Sequence, residues 1–239
     1  MITTQTKVAD VAAESLAAIR VFQKHGIDFC CGGQRPIADV CASKGIAADL
    51  LLDELQSAMG APAQEATDWN RASLRALIGH IVTKHHEYLR AELPRIQTWL
   101  DKVHSKYGEQ DADTIGRLPA IYTALRTELE GHLPKEEMIL FPWIGRFEAA
   151  LEAGMPAPPL PFGSFEGPIS VMEHEHENAG EALRMLREST NGYSAPEHAC
   201  RTYRALFQAL EELENDLHMH IHLENNILHA RVKALGAAQ

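Results

Sequence analysis

His132-Leu133-Pro134-Lys135-Glu136 recurs in residue type and spacing as His220-Ile221-His222-Leu223-Glu224, and each copy runs on as Glu-x-x-Ile-Leu, through Ile139-Leu140 and Ile227-Leu228. Positions four apart lie one turn apart on one helix face, so each copy aims an imidazole and a carboxylate at a common point. The Ile-Leu that follows supplies apolar surface to bury that face. Two such pairs, on two helices, offer two nitrogen and two oxygen donors to a metal.

Working outward, the chain from about Asn70 reads as long helices. The first begins with Leu74, Leu77, Ile78, Ile81 and Val82, passes His85-His86 and reaches about Lys106, with Pro94 expected to kink it. The second spans roughly Leu118 to Ala150, interrupted by Pro134 and Pro142. A Pro- and Gly-rich loop over 154–167 precedes a third, about Pro168 to Glu188. Ser194-Ala195-Pro196-Glu197 has the form of a capping box and is expected to open a fourth that reaches about Leu235. No alternating strand pattern appears. The fold class is therefore all-α, an up-down-up-down four-helix bundle over 70–239.

Before it lies a smaller helical domain, 1–58. One helix is expected over 8–25 with Gly26 closing it, Pro36 opens a second, and a third carries Leu50, Leu51, Leu52 and Leu55. Residues 59–69, poor in large apolar groups, read as a linker.

In such a bundle, positions near the start of helices one and three share a layer with positions near the end of helices two and four. His86 lies about a dozen residues into the first and His176 somewhat under ten into the third, while His132 and His220 stand about fifteen from the ends of theirs. Six donors can then converge: His86, His132, Glu136, His176, His220 and Glu224. Imidazole with carboxylate and no thiolate suits iron, manganese or zinc. Two octahedral irons would use all six with bridging carboxylates and an oxo or hydroxo bridge, and still leave positions open; zinc would settle for four donors and leave the rest idle. A di-iron centre is the favoured reading. Glu173-x-x-His176 fits a ferritin-like pattern once, and no second copy follows.

The chain has thirteen histidines. His80, His104, His198 and His229 read as structural or surface groups. His85, His174, His218 and His222 neighbour the proposed ligands and could support or replace them. His85 and His86 cannot both face one metal, since adjacent helical side chains diverge by about 100°. Cys30 and Cys31, beside Gly32-Gly33, are approachable soft donors suited to passing iron, nitric oxide or sulfur to or from a damaged cluster. Cys41 and Cys200 read as structural.

Composition excludes other classes. With 239 residues, 45% of them apolar and a net charge of −11, the chain can bury a large core but lacks the clustered cations that a nucleic-acid partner requires. No membrane span or signal-peptide core is legible, because Lys7, Asp10, Glu14 and Arg20 interrupt the start. Four cysteines make no disulfide framework, and a cytoplasmic location is expected.

The quoted motifs resemble a known family. His132-x3-Glu136-Glu137-x-Ile139-Leu140-Phe141-Pro142, Ser170-Val171-Met172-Glu173-x-Glu175-His176-x-x-Ala179-Gly180 and His220-x-x-Leu223-Glu224-Asn225-Asn226 resemble the hemerythrin-like domain. Joined to Asp28-Phe29-Cys30-Cys31-Gly32-Gly33, they resemble the family of di-iron proteins for the repair of iron centres. The resemblance implies metal ligands at the six positions already reached, Glu136 and Glu224 as bridging carboxylates, and Glu175 beside a channel to the metal. It implies a cytoplasmic protein that serves damaged iron–sulfur proteins, with nitric oxide or dioxygen as further ligands; a homodimer is open, as is classification as an enzyme. Two departures stand out: Pro134 intrudes inside the first motif, and His229-Ala230 replaces the Phe-Pro expected after the second Ile-Leu. The other reading keeps the di-iron site but uses it to bind or convert nitric oxide or dioxygen, and a fifth histidine ligand would favour it.

Overall fold

The computed structural model describes residues 2–60 and 67–237; part of the expected linker, 61–66, lies outside the described residues. Among these residues the fold is all helical, with one isolated antiparallel bridge between Lys7 and Pro36. Contacts divide the chain into two compact units, one formed by residues up to Leu77 together with those from His218, the other by Ile78–Leu217. Packing thus draws its boundaries away from the composition shift at 59–69.

In the Ile78–Leu217 unit, four helices share one core: α6 (Glu87–Tyr107), α7 (Leu118–Lys135), α9 (Glu166–Ser189) and α10 (Arg201–His222), of which the unit takes the part up to Leu217. Their buried residues step by three or four. Leu89, Leu93, Ile96, Leu100 and Val103 line α6; Tyr122, Leu125, Leu129 and Leu133 line α7; Ala179, Leu183 and Leu186 line α9; Tyr203, Leu206, Leu210, Leu213 and Leu217 line α10. That spacing gives the seam of a four-helix bundle. Tyr122 is fully buried and its hydroxyl donates to the carbonyl of Leu93 at 2.9 Å, which satisfies the one polar atom the ring brings inside.

Three of the long helical runs are not regular. α5 (Leu74–Ile81) passes through a π turn, Val82–His86, into α6; α7 passes through another, Glu136–Leu140, into α8 (Phe141–Glu152); α10 passes through a third, Leu223–His229, into α11 (Ala230–Ala237). Pro134 lies inside α7, and Pro142 starts α8, where its missing N–H costs nothing. Pro94 sits within an unbroken α6.

The expected capping box fails. The fourth helix begins only at Arg201; Ser194 instead donates its N–H to the carbonyl of Thr190, and Ala199 bonds back to Pro196. The guanidinium of Arg204 collects the carbonyls of Pro196, Glu197 and Ala199, so the segment satisfies its backbone as a turn.

The other unit begins with two helices where one was expected over 8–25. Ser15 is extended, at φ −154° and ψ 120°, and divides α1 (Val8–Glu14) from α2 (Leu16–Lys24), capping the latter with its hydroxyl. Gly26 follows at φ +60°, the left-handed geometry expected of it. α3 (Ile37–Lys44) starts after Pro36, and α4 is Ala48–Gly60. Val8, Val11, Ile19, Phe22, Ile27, Phe29, Ile37, Leu51 and Leu55 make the core, joined by Ile221 from the other end of the chain. His218 and His222 set their rings edge-on to Phe29, with centroids 6.0 and 5.6 Å away, and the Asn226 amide donates to the Phe29 carbonyl at 2.9 Å.

Candidate metal centre

All six predicted donors are buried. On α7 and its π turn, His132 and Glu136 continue the stripe of Leu125 and Leu129; on α9, His176 falls between Met172 and Ala179; on α10, His220 follows Leu213 and Leu217. The ligand-type residues occupy core positions, where carboxylates and imidazoles are costly unless something compensates them.

The Ile78–Leu217 unit brings four of them together. Nε2 of His132 stands 3.2 Å from Oε2 of Glu136 and 3.1 Å from Nε2 of His176, and Nε2 of His86 lies 3.5 Å from the same Glu136 oxygen. Neither Glu136 oxygen receives a hydrogen bond, although the carboxylate is fully buried. The other unit carries the second pair, with Nε2 of His220 and Oε1 of Glu224 2.9 Å apart, both buried.

Two carboxylates fix the imidazoles. Nδ1–H of His86 donates to Oε1 of Glu137 at 2.6 Å, and Nδ1–H of His132 donates to Oε2 of Glu175 at 2.8 Å. An imidazole that donates from Nδ1 keeps its lone pair on Nε2, the atom that faces Glu136 in both residues. Arg90 adds a bond to Glu137 at 2.7 Å, and Lys135 donates to Glu175. Burial pushes both carboxyls up, but the bonds from His86 and Arg90 outweigh it at Glu137, and those from Lys135 and His132 outweigh it at Glu175, so both are held below the usual carboxylate range. Ionised carboxylates that orient histidines are the usual surroundings of a metal-binding imidazole. A buried carboxylate without a donor, faced by lone-pair nitrogens, fits a cation of the iron, manganese or zinc group.

Several of the remaining histidines have partners outside the six predicted donors. Nδ1 of His85 meets Oδ1 of Asp216 at 2.9 Å; His174 is exposed beside Glu177; His222 pairs through Nδ1 with the Asn226 amide at 3.0 Å, and burial pushes its imidazole down to about 4. His229 is fully buried and His198 pairs with Asp111. The sequence reading did not single out Glu137 or Asp216. The doubled Glu136-Glu137 was the available signal for the first; nothing local marks the second.

Asp28, Cys30 and Cys31 form a separate cluster. Asp28 Oδ1 accepts the N–H groups of Cys30 and Cys31 at 2.9 and 3.0 Å, and Oδ2 accepts that of Gly32 at 2.8 Å. The two sulfurs lie 3.7 Å apart, with Cys30 buried and Cys31 half-buried. Hydrogen bonding to Cys31, then burial, pushes the Cys30 thiol well above its ordinary value.

A four-helix core with buried imidazoles and carboxylates on its seam positions defines a hemerythrin-type cation-binding protein. The chain belongs to that family: the hemerythrin HHE cation binding domain matches residues 77–232, and the ScdA_N family, described as a domain of unknown function, matches residues 4–59. It is similar along nearly its whole length to proteins named iron-sulfur cluster repair protein YtfE. The one from Pectobacterium atrosepticum is 38% identical over 217 residues, 90% of each chain, and one from Escherichia coli O81 is 35% identical over 227 residues, 95% of this chain and 96% of the relative.

Proposed function

We propose that the chain holds two iron ions, bridged by oxo or hydroxo and by Glu136 and Glu224, with His86, His132, His176 and His220 as the nitrogen ligands, and that it supplies iron to iron–sulfur proteins damaged by nitrosative or oxidative stress. The observation that carries this reading is Glu136, fully buried, without a hydrogen-bond donor, and faced by Nε2 atoms whose lone pairs Glu137 and Glu175 direct inward. A bound iron pair would compensate that carboxylate and, with positions left open, would exchange ligands. Relatives covering nine-tenths of the chain carry the name of iron–sulfur cluster repair proteins. Iron is here the cargo, so the residues that matter for its release are those that orient the ligands. Glu175 has this role at His132, and as an ionised group beside the site it also favours cation passage. Cys30 and Cys31 are the receiving or delivering thiols.

The setting we propose is cytoplasmic, with iron–sulfur proteins as partners. No helix among the described residues is long and apolar enough to cross a membrane. Nitric oxide or dioxygen would compete at the open positions. A primary gas-handling role loses the support a fifth histidine would give, since His85, His174 and His222 are engaged elsewhere or exposed.

The test is iron and visible absorbance of the purified protein, then mixing with a demetallated or nitric-oxide-damaged iron–sulfur enzyme in the absence of chelators. About two irons per chain, falling as the target recovers, is the expected result. Iron that stays bound while the spectrum responds to nitric oxide or dioxygen would replace repair with gas handling.

A further inference from the structure

The loop that carries the double cysteine is built, and Asp28 and Asn226, whose bonds hold it, are not among the six residues proposed as iron ligands. Asp28 closes it through three backbone N–H groups. Gly33 admits no side chain: a Cβ there would stand 2.5 Å from the Phe29 carbonyl oxygen and 2.9 Å from Cβ of Ala9. Phe29 is fully buried and its carbonyl is held by Asn226. The thiols are therefore presented on a backbone with little freedom to rearrange.

One oxygen of Asp28 and the two sulfurs lie within 4.8 Å of one another, and the sulfurs are 3.7 Å apart. Two thiolates on one tetrahedral ion with metal–sulfur bonds of about 2.3 Å stand about 3.8 Å apart. A disulfide would require the sulfurs at about 2.05 Å. The spacing matches the tetrahedral edge and not the bond.

We propose that Asp28, Cys30 and Cys31 form a second metal site, a three-donor seat for a thiophilic cation of tetrahedral preference such as Zn²⁺, with the fourth position open to solvent or to a donor from another protein. Each thiol gives its proton to solvent as its sulfur lone pair enters the metal–sulfur bond, so no electron transfer or co-reactant is needed. Two thiolates select against hard cations such as Mg²⁺ and Ca²⁺. Asp28 is exposed and Cys31 half-buried, which leaves the ion a way in. The proposal does not rest on the iron-donation reading.

The probe is Cd²⁺ titrated into the full, reduced chain, followed by its thiolate-to-metal absorption band. The band should saturate at one ion per chain, persist in His132→Gln, which impairs the histidine–carboxylate set, and vanish in Cys30→Ser and in Cys31→Ser. Asp28→Asn should weaken binding, read as a shift of half-saturation to higher Cd²⁺ concentration. A band absent from the parent protein, or one retained in both serine variants, overturns the site. Should a variant misfold, the parent protein still decides: Zn²⁺ should slow alkylation of Cys30 and Cys31 while Cys41 and Cys200 label as before. Equal labelling with and without Zn²⁺ counts against it. Neither readout depends on iron content, so iron donation can fail while this site stands, and the reverse.

Discussion

Glu137 and Glu175 touch no reacting group, yet each sets which nitrogen of a histidine faces the centre. Replacing either with Gln keeps the shape and removes the charge. We expect Glu137→Gln and Glu175→Gln to weaken iron retention about 10- to 100-fold, read as faster loss to a competing chelator, with helix content unchanged. Gly33→Ala forces a methyl group against the Phe29 carbonyl and should cost about 1–3 kcal/mol in urea unfolding. At this scale the sequence was informative: the repeated His-x3-Glu and the matching depth of His86 and His176 pointed to polar side chains that the fold buries. Glu137 was harder to see, because its role comes from Nδ1 of a residue on another helix.

At the scale of elements, long helices were legible from their three-and-four periodicity, and their interruptions were not. Each π turn holds a proposed ligand: His86 in the first, Glu136 at the start of the second and Glu224 in the third. A π turn widens the helix by one residue and is commonly found where side chains must be re-aimed. Its sequence differs little from that of an α-helix, which is why spacing alone reads straight through it. The capping box misled for a related reason: a Ser-x-x-Glu pattern is weaker than the backbone bonds that Thr190 and Arg204 offer to the same segment. Pro134 offers a test. It is exposed inside α7 and cannot donate the backbone bond an alanine would, so Pro134→Ala should raise stability by about 1 kcal/mol or more in urea unfolding of the iron-loaded protein, with the iron count unchanged. A fall in iron content would instead show that proline shapes the turn at Glu136.

For the whole molecule, metal and fold are linked. A cation bound only by the native chain stabilises it by mass action, and the uncompensated carboxylate at Glu136 returns when the metal leaves. Removing iron with a chelator should lower the urea midpoint at neutral pH. Acidification should release the metal before it unfolds the chain, since imidazole and carboxylate ligands must be deprotonated to bind. Coincidence of the two transitions across pH would overturn that order of release and unfolding. What composition could not reveal at this scale was the partition of the chain. A shift at 59–69 marks a change in residue types, whereas compactness follows buried surface, and Ile221 belongs to the core made by Val8, Phe22 and Leu55.

That partition bears on synthesis. A nascent chain that has exposed residues up to Leu217 holds all of the Ile78–Leu217 unit, with His86, His132, Glu136 and His176 in place. The other unit, begun first, still lacks Ile221 for its core and Asn226 for the cysteine loop. Val8, Phe22 and Leu55 are made well before the segment that carries Ile221 and Asn226, and His220 and Glu224 arrive with that later segment. On the proposed ligand set, a chain that stops short of His220 holds His86, His132, Glu136 and His176 and lacks the second His–Glu pair.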